Sequence, residues 1–238
     1  MTVIVVSGTG TEIGKTVVTA AVAAVATAAG RSVAVLKPAQ TGVGPHEAGD
    51  ADEVLRLSGA ASGTELARFP EPLAPATAAR RAGMAPVGPA EVAEAARKLA
   101  AEHDLVLVEG AGGLLVRFDG EGGTLADAAR LLGAPVLVVT PAGLGTLNNT
   151  ALTAEALRAR GIEQLGVVVG SWPDAPDLAA RCNLTDLPEA AAAPLLGAVP
   201  EGAGALGVED FRAAAATWLA PALGGTWDAV AFTAAARA

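Results

Sequence analysis

Short apolar runs recur along the chain, with longer segments of helical spacing between them. The runs are nearly continuous and rich in β-branched residues, a pattern typical of strands buried on both faces. They occupy residues 3–7, 32–38, 105–110, 135–141, 165–171 and 195–200. The pattern therefore predicts six strands of a largely buried, parallel sheet.

Four of the intervening segments place apolar residues at helical spacing and carry a glycine close to their end. They cover residues 14–29, 89–102, 124–132 and 146–160. Alternation of strands and helices predicts an α/β fold, a doubly wound parallel sheet with helices on its faces. A chain of 238 residues suits one such domain over residues 1–238.

Two regions fit this alternation poorly. Residues 42–90 are loop-rich with many prolines, and we expect them to form a lid or side insertion that carries short helices. The alanine-rich tail, residues 203–238, predicts a C-terminal helical segment whose role the sequence does not indicate.

Composition narrows the range of partners. The formal net charge of −9 and the lack of a basic cluster argue against binding to nucleic acid or to an anionic membrane. Every long apolar stretch is interrupted by Gly, Pro or charge before about 20 residues, so no membrane span is expected. The single cysteine, Cys182, excludes an internal disulfide, and together with the lack of a signal-peptide pattern it predicts a cytoplasmic protein.

The first apolar strand leads into a glycine-rich turn that ends in Gly14-Lys15-Thr16 and opens a helix. Backbone N–H groups of such a turn and the positive end of the helix hold a polyphosphate, while the lysine reaches the β- and γ-phosphates and the threonine meets Mg²⁺. Gly8 and Gly14 enclose five residues rather than four, so the spacing alone is only moderately specific. An ordinary turn that uses glycine for positive φ is the alternative. We predict a P-loop NTPase with Rossmann-like architecture.

Ligands of doubly wound sheets collect at the carboxyl ends of the strands. Glu109 ends the third predicted strand, and the small residues Gly110-Ala111-Gly112 follow it. A buried acid there needs a cation, and Mg²⁺ bound to nucleotide phosphates is the obvious one. The alternative is a strand-end glutamate that caps a neighbouring helix.

Lys37 ends the second predicted strand and is one of three lysines, with Lys15 and Lys98, in a chain that otherwise uses arginine. A compact point charge at such a position suits a phosphate or carboxylate oxygen in a tight site. Lys15 and Lys37, with the hydroxyl of Thr41, would surround a transferring γ-phosphoryl group. A lysine on the surface at the end of a strand is the alternative.

Asp50 and Asp52 lie at the start of a helical segment, GDADEVLRL. One of them could bind Mg²⁺, and either could cap the helix. We favour Asp50 as the metal ligand because it precedes the helix.

The motifs GTGTEIGKT, KPAQTG, VEGAGG and LGTLNNTALTAEAL, in this order and spacing, resemble the dethiobiotin synthase family over residues 2 to about 200. That family's phosphate loop also has five residues between its glycines. The resemblance implies a homodimer of P-loop subunits that closes a ring on 7,8-diaminopelargonate. CO₂ forms a carbamate at one amine, ATP with Mg²⁺ converts it to a carbamic-phosphoric anhydride, and the second amine displaces phosphate.

The resemblance also implies the roles of individual residues. Thr16, Asp50 and Glu109 would bind Mg²⁺, and Lys37, Lys15 and Thr11 would act in catalysis. The nucleotide would contact Thr11, Glu12, Ile13, Gly14, Lys15, Thr16, Val17, Gly170, Ser171 and Pro200. The substrate would contact Lys37, Thr41, Gly110, Ala111, Gly112, Leu144, Gly145, Thr146, Leu147 and Asn148. Of these, residues 144–148 would reach the partner subunit's substrate, so the active site would lie at the dimer interface.

Three positions depart from the family pattern. Asn149 stands in place of a histidine, Arg117 in place of a proline, and Ser171 in place of an asparagine that reads the adenine edge. Loss of that amide predicts weak discrimination among nucleoside triphosphates.

Two other functions use similar folds. A switch ATPase of the partitioning type usually has a second lysine early in the phosphate loop, and Gly8 to Ile13 contain none. A glutamine-dependent amidoligase of the cobyrinate type needs a catalytic Cys and His, and Cys182 lacks that setting.

Overall fold

The computed structural model describes residues 2–60 and 62–237, and within them seven parallel strands form one sheet. The spatial order of the strands is β3-β2-β4-β1-β5-β6-β7. The strands are β1 Thr2–Gly8, β2 Val33–Thr41, β3 Ser62–Phe69, β4 Leu105–Gly113, β5 Val136–Thr140, β6 Gln164–Trp172 and β7 Leu195–Pro200. The α/β fold expected from the sequence is therefore confirmed.

Nine α-helices accompany the sheet in the described part of the chain. They are α1 Lys15–Ala28, α2 Asp50–Ser58, α3 Pro75–Ala82, α4 Pro89–Glu102, α5 Leu125–Leu132, α6 Thr146–Ala159, α7 Leu178–Ala191, α8 Val208–Ala214 and α9 Ala229–Arg237. None of the helices in residues 2–60 and 62–237 is long and apolar enough to cross a bilayer. That the whole chain is one domain stays a prediction.

The six predicted strands and four predicted helices all form, with ends within three residues of the expected ones. The largest differences are at the ends of β2 and β4, which continue to Thr41 and Gly113. Lys37 of β2 and Glu109 of β4 therefore lie inside their strands and do not end them. Lys37 pairs in register with Glu65 of β3.

The expectation for residues 42–90 is wrong in one respect, because residues 62–69 form β3, a strand of the main sheet. The sequence SGTELARF has no apolar run, and almost all of its side chains are only half-buried. Such a pattern is typical of an edge strand and is hard to tell from a loop. The short helices expected in this region are α2 and α3.

The core is formed by the central strands and by α1. Val5, Val106 and Val138 on three neighbouring strands are completely buried, as are Ala20 and Ala23 of the helix. A helix that is apolar on all sides must be covered on all sides. The sheet covers one side of α1, and α2, α8 and the 3₁₀ turn at Ala215–Trp218 cover others.

The C-terminal tail covers the outer edge of the sheet. Leu219 forms an antiparallel bridge with Gly197 of β7, and the N–H of Ala220 donates to the carbonyl of Leu196 at 2.8 Å. Before this point α8 packs on α2, and after it α9 packs on α7. An unpaired edge strand invites pairing with other chains. The tail, whose role the sequence does not indicate, thus protects β7.

We predict that Ala220→Pro destabilises the protein by about 1–3 kcal/mol, because it removes the N–H donor and leaves the Leu196 carbonyl without its hydrogen bond. The free energy of unfolding in urea measures this loss. Ala222→Ser, a change at an exposed position two residues later, is the control. Equal stability of the two variants would show that the tail does not hold β7 through this bond.

Candidate active site

The site forms where three neighbouring strands end. β4 lies between β1 and β2, so the loop after β1, Glu109 of β4 and Lys37 of β2 come to the same edge of the sheet. In doubly wound sheets this edge is the usual place for a ligand. The three groups that the sequence motifs indicate are therefore brought together.

The loop between β1 and α1 has the geometry of a phosphate loop. Gly14, which precedes the first residue of α1, has a φ of 89°, a left-handed conformation that favours glycine. A Cβ on Gly14 would lie 2.2 Å from the carbonyl oxygen of Gly170 at the end of β6. Because backbone rests directly on backbone here, the loop is held against the sheet.

Lys15 is the first residue of α1, and its side chain turns back over the loop. Its ammonium donates to the carbonyl oxygen of Gly10 at 2.9 Å. Burial, together with repulsion from Lys37, lowers the pKa of Lys15, against the attraction of Glu109 and Asp50. A polyphosphate would relieve this repulsion, since it adds negative charge between the two ammonium groups.

Glu109 is the centre of a buried polar cluster. Its Oε1 accepts a hydrogen bond from the Thr16 hydroxyl at 3.0 Å and another from the Lys37 ammonium at 2.9 Å. Lys37 also donates to the carbonyl of Gly110 at 3.2 Å and forms an ion pair with Asp50. Both Lys37 and Glu109 are almost completely buried, with 3% and 1% exposure.

The charge state of Lys37 follows from these neighbours. Burial alone would lower the pKa of its ammonium, but the carboxylates of Glu109 and Asp50 outweigh burial and raise that pKa above the usual value. Lys37 is therefore a firmly protonated cation inside the protein, and not a surface lysine.

The structure separates the two aspartates at the start of α2. Asp50 is the first residue of the helix and its carboxylate reaches Lys37. Asp52 instead accepts the N–H of Gly49 at 2.9 Å, which completes a capping interaction. The arrangement brings Asp50, and not Asp52, to Lys37, and Asp50 begins the helix and does not precede it. Its role as a metal ligand stays a prediction.

A cavity of about 840 Å³ opens beside this cluster. Most of the residues expected at the site line it, namely Thr11, Glu12, Ile13, Gly14, Lys15, Thr16, Val17, Lys37, Thr41, Asp50, Glu109, Ala111 and Gly112. Gly110 takes part through its carbonyl. Their individual roles stay predictions.

The remaining expected residues lie outside this cavity. Gly170 supports the phosphate loop, and Ser171 and Pro200 lie near the ends of β6 and β7. Residues 144–148 lie at the start of α6. Leu144 is 94% exposed, whereas Thr146 is buried and its hydroxyl pairs with that of Thr140.

Sequence reasoning missed several residues that line the cavity. They are Ala39, Gln40, Gly42, Val43, Pro72, Leu73, Ala74, Pro75 and Val116. Residues 72–75 come from the region that we expected to form a cover. Gln40 was within a recognised motif, KPAQTG, and its position directly before Thr41 was the available indication.

The residues present fit a magnesium ion bound together with phosphates. Oε2 of Glu109 is buried and accepts no hydrogen bond from any residue that the structure describes. The Thr16 hydroxyl and the Asp50 carboxylate lie around the same cluster. Within residues 2–60 and 62–237 no group of three or more His, Cys, Asp or Glu side chains could hold a metal alone. Mg²⁺ does not need such a group, because it takes one or two carboxylates, phosphate oxygens and water.

Fold and site together define a P-loop NTPase with a lysine-carboxylate cluster beside its phosphate loop. Comparison with known proteins agrees, since a family model described as "AAA domain" matches residues 2–204. A ParA family ATPase from Chlorobium tepidum has the same fold, with a TM-score of 0.56 and 14% identity over 98% of this chain and 97% of that one.

Two curated relatives are much more similar. The ATP-dependent dethiobiotin synthetase BioD of Streptomyces coelicolor is 74% identical over 232 residues, which cover 98% of each chain. That of Saccharopolyspora erythraea is 70% identical over 228 residues, which cover 96% of this chain and 100% of the relative. The chain belongs to the family of ATP-dependent dethiobiotin synthetases.

We predict that Lys37→Met lowers the free energy of unfolding by about 3–5 kcal/mol, because it leaves the buried Glu109 carboxylate without its cation. Lys98→Met is the matched control. Lys98 forms an exposed ion pair with Glu94, and its loss should cost less than about 1 kcal/mol. Urea unfolding of both variants measures the difference. A decrease in the free energy of unfolding of less than about 1 kcal/mol for Lys37→Met would contradict the inference that Glu109 needs Lys37 as its buried cation.

Proposed function

We propose that the chain catalyses the ATP- and Mg²⁺-dependent ring closure of 7,8-diaminopelargonate with CO₂ to dethiobiotin. The single observation that carries this proposal is the cluster of Lys37, Glu109 and Thr16 beside Lys15 on one cavity. Two cations and a carboxylate next to a phosphate loop suit the transfer of a phosphoryl group to a second anion. Membership of the dethiobiotin synthetase family supports a carbamate of the substrate as that second anion.

The reaction needs ATP because a carbamate oxygen is a poor leaving group. One amine of the substrate adds to CO₂ and loses a proton, which gives the carbamate. A carbamate oxygen then takes the γ-phosphoryl group of ATP, and ADP leaves. The second amine attacks the carbamate carbon and expels phosphate, which closes the cyclic urea.

The protein's part is to hold charge in place. Lys15 would bind the β- and γ-phosphates, and Lys37, fixed by Glu109 and Asp50, would lie against the transferring group or the carbamate. Thr16, Asp50 and Glu109 would hold Mg²⁺, which would neutralise phosphate charge. No step requires a covalent bond to the protein.

Cover over the cavity also matters, because water would hydrolyse the mixed anhydride. Residues 72–75, which include two prolines, lead from β3 into α3 and line the cavity. We infer that this segment excludes water from the reacting atoms. Thr11, Glu12 and Thr41 line the same space and would orient the phosphates and substrate.

A homodimer would complete the substrate site. Leu144, in the loop before α6, is 94% exposed, and Leu152 of α6 is 58% exposed. Leu115, after β4, is 44% exposed. Residues 144–148 do not line this cavity of their own chain, and Leu144, Gly145 and Asn148 are exposed and could contact a second subunit. We propose that they reach the partner's diamine, and that the enzyme works in the cytoplasm.

We predict that ADP release depends strictly on both diaminopelargonate and bicarbonate, because phosphoryl transfer needs the carbamate as acceptor. A coupled ADP-release assay that omits each in turn measures this. ADP release that ignores the diamine would instead favour a switch ATPase of the partitioning type.

We also predict weak discrimination among nucleoside triphosphates, because Ser171 replaces the amide that would read the adenine edge. The ratio of kcat/KM values for ATP, CTP and GTP measures it. A preference for ATP above about a hundredfold, or roughly 2.7 kcal/mol, would refute the prediction.

A further inference from the structure

Two charged residues on β3 form a rigid pair next to the site. The guanidinium of Arg68 donates through Nε and Nη2 to both carboxylate oxygens of Glu65, at 2.8 and 2.9 Å. Both side chains are partly buried, with 22% and 16% exposure. A bidentate pair of this kind has a fixed geometry.

Arg68 also binds the loop that leads from β2 to α2. Its Nη1 donates to the carbonyl oxygens of Gly44 and Glu47, at 3.0 and 2.6 Å. Its Nη2 lies 3.6 Å from the carboxylate of Asp52. One side chain thus ties the whole loop, and the first turn of α2, to the edge strand.

The backbone that enters α2 rests directly on this pair. A Cβ on Gly49 would lie 2.3 Å from Oε1 of Glu65 and 2.9 Å from Nη2 of Arg68. From the neighbouring strand β2, Oε1 of Gln40 accepts the N–H of Asp50 at 2.9 Å. Gln40 is the register partner of Arg68 across the two strands. Asp50 is therefore held directly from β2, while the residue before it, Gly49, lies against the pair on β3.

We propose that Arg68, held by Glu65, is a positioning residue that sets the Asp50 carboxylate against Lys37. Arg68 itself does not line the cavity, so it can act on the reaction only through the groups that it holds. Arg68 holds the residues around Asp50, through the Glu47 carbonyl, the close approach to Gly49 and the Asp52 carboxylate, and the Asp50 carboxylate in turn contacts Lys37 of the site cluster. The inference rests on the proposed function, in which Asp50 serves Lys37 and the magnesium nucleotide.

A double-mutant cycle between Arg68 and Asp50 tests this role. Arg68→Met should weaken the binding of ATP with Mg²⁺, measured by calorimetry without diamine, by about tenfold, and lower kcat/KM for ADP release to a similar extent. In an Asp50→Asn background, Arg68→Met should change ATP affinity and kcat/KM by less than about twofold, because the carboxylate through which Arg68 acts is gone. A general loss of structure would instead lower ATP affinity and kcat/KM by the same factor in both backgrounds.

Arg56→Met is the matched control. Arg56 forms the same kind of bidentate pair with Glu53, three residues earlier, but on an exposed part of α2. It should leave ATP binding and ADP release within about twofold of the unmodified protein. If Arg68→Met does not fold, as judged by circular dichroism, Glu65→Gln takes its place in the same cycle.

Equal losses in both backgrounds, or no loss from Arg68→Met, would overturn the inference. Failure of the proposed function looks different. In that case the unmodified protein itself would show no diamine-dependent ADP release, while the cycle in ATP binding would still decide whether Arg68 positions Asp50.

Discussion

The buried ion pair between Lys37 and Glu109 is the constraint on which the site depends. Neither charge is stable in the protein interior alone, so the two must lie together wherever the fold places them. They come from the neighbouring strands β2 and β4, and the pair therefore joins these two strands beside the phosphate loop. One oxygen of Glu109 satisfies Lys37 and Thr16, and the other accepts no hydrogen bond from a described residue, which leaves it available to a cation.

The parts of the fold that could be predicted are those with a local cause. Buried strands such as β5 are continuous apolar runs, and Lys15, Lys37 and Glu109 follow or end such runs, so the strand-end rule brings them together. β3 has no such signature, because an edge strand needs only half of its surface buried. Because the sequence does not predict β3, the pair of Glu65 and Arg68 could not be placed near the site.

Other features depend on contacts between distant parts of the chain. Asp50 and Asp52 lie in one helical turn, and only the position of Lys37 and the N–H of Gly49 distinguishes their roles. Likewise, Leu219 of the tail pairs with Gly197 of β7, although the tail sequence around Leu219 has no pattern that predicts a strand. Such contacts are settled by packing, not by local preference, so a single sequence does not reveal them.

A crystal structure with a non-hydrolysable ATP analogue, Mg²⁺ and the diamine tests the central claim most directly. The account predicts the triphosphate on the loop of residues 9–14, the metal bound by Thr16 together with Glu109 or Asp50, and the Lys37 ammonium between the γ-phosphate and the diamine. A metal or γ-phosphate remote from Glu109 and Lys37 would contradict the account.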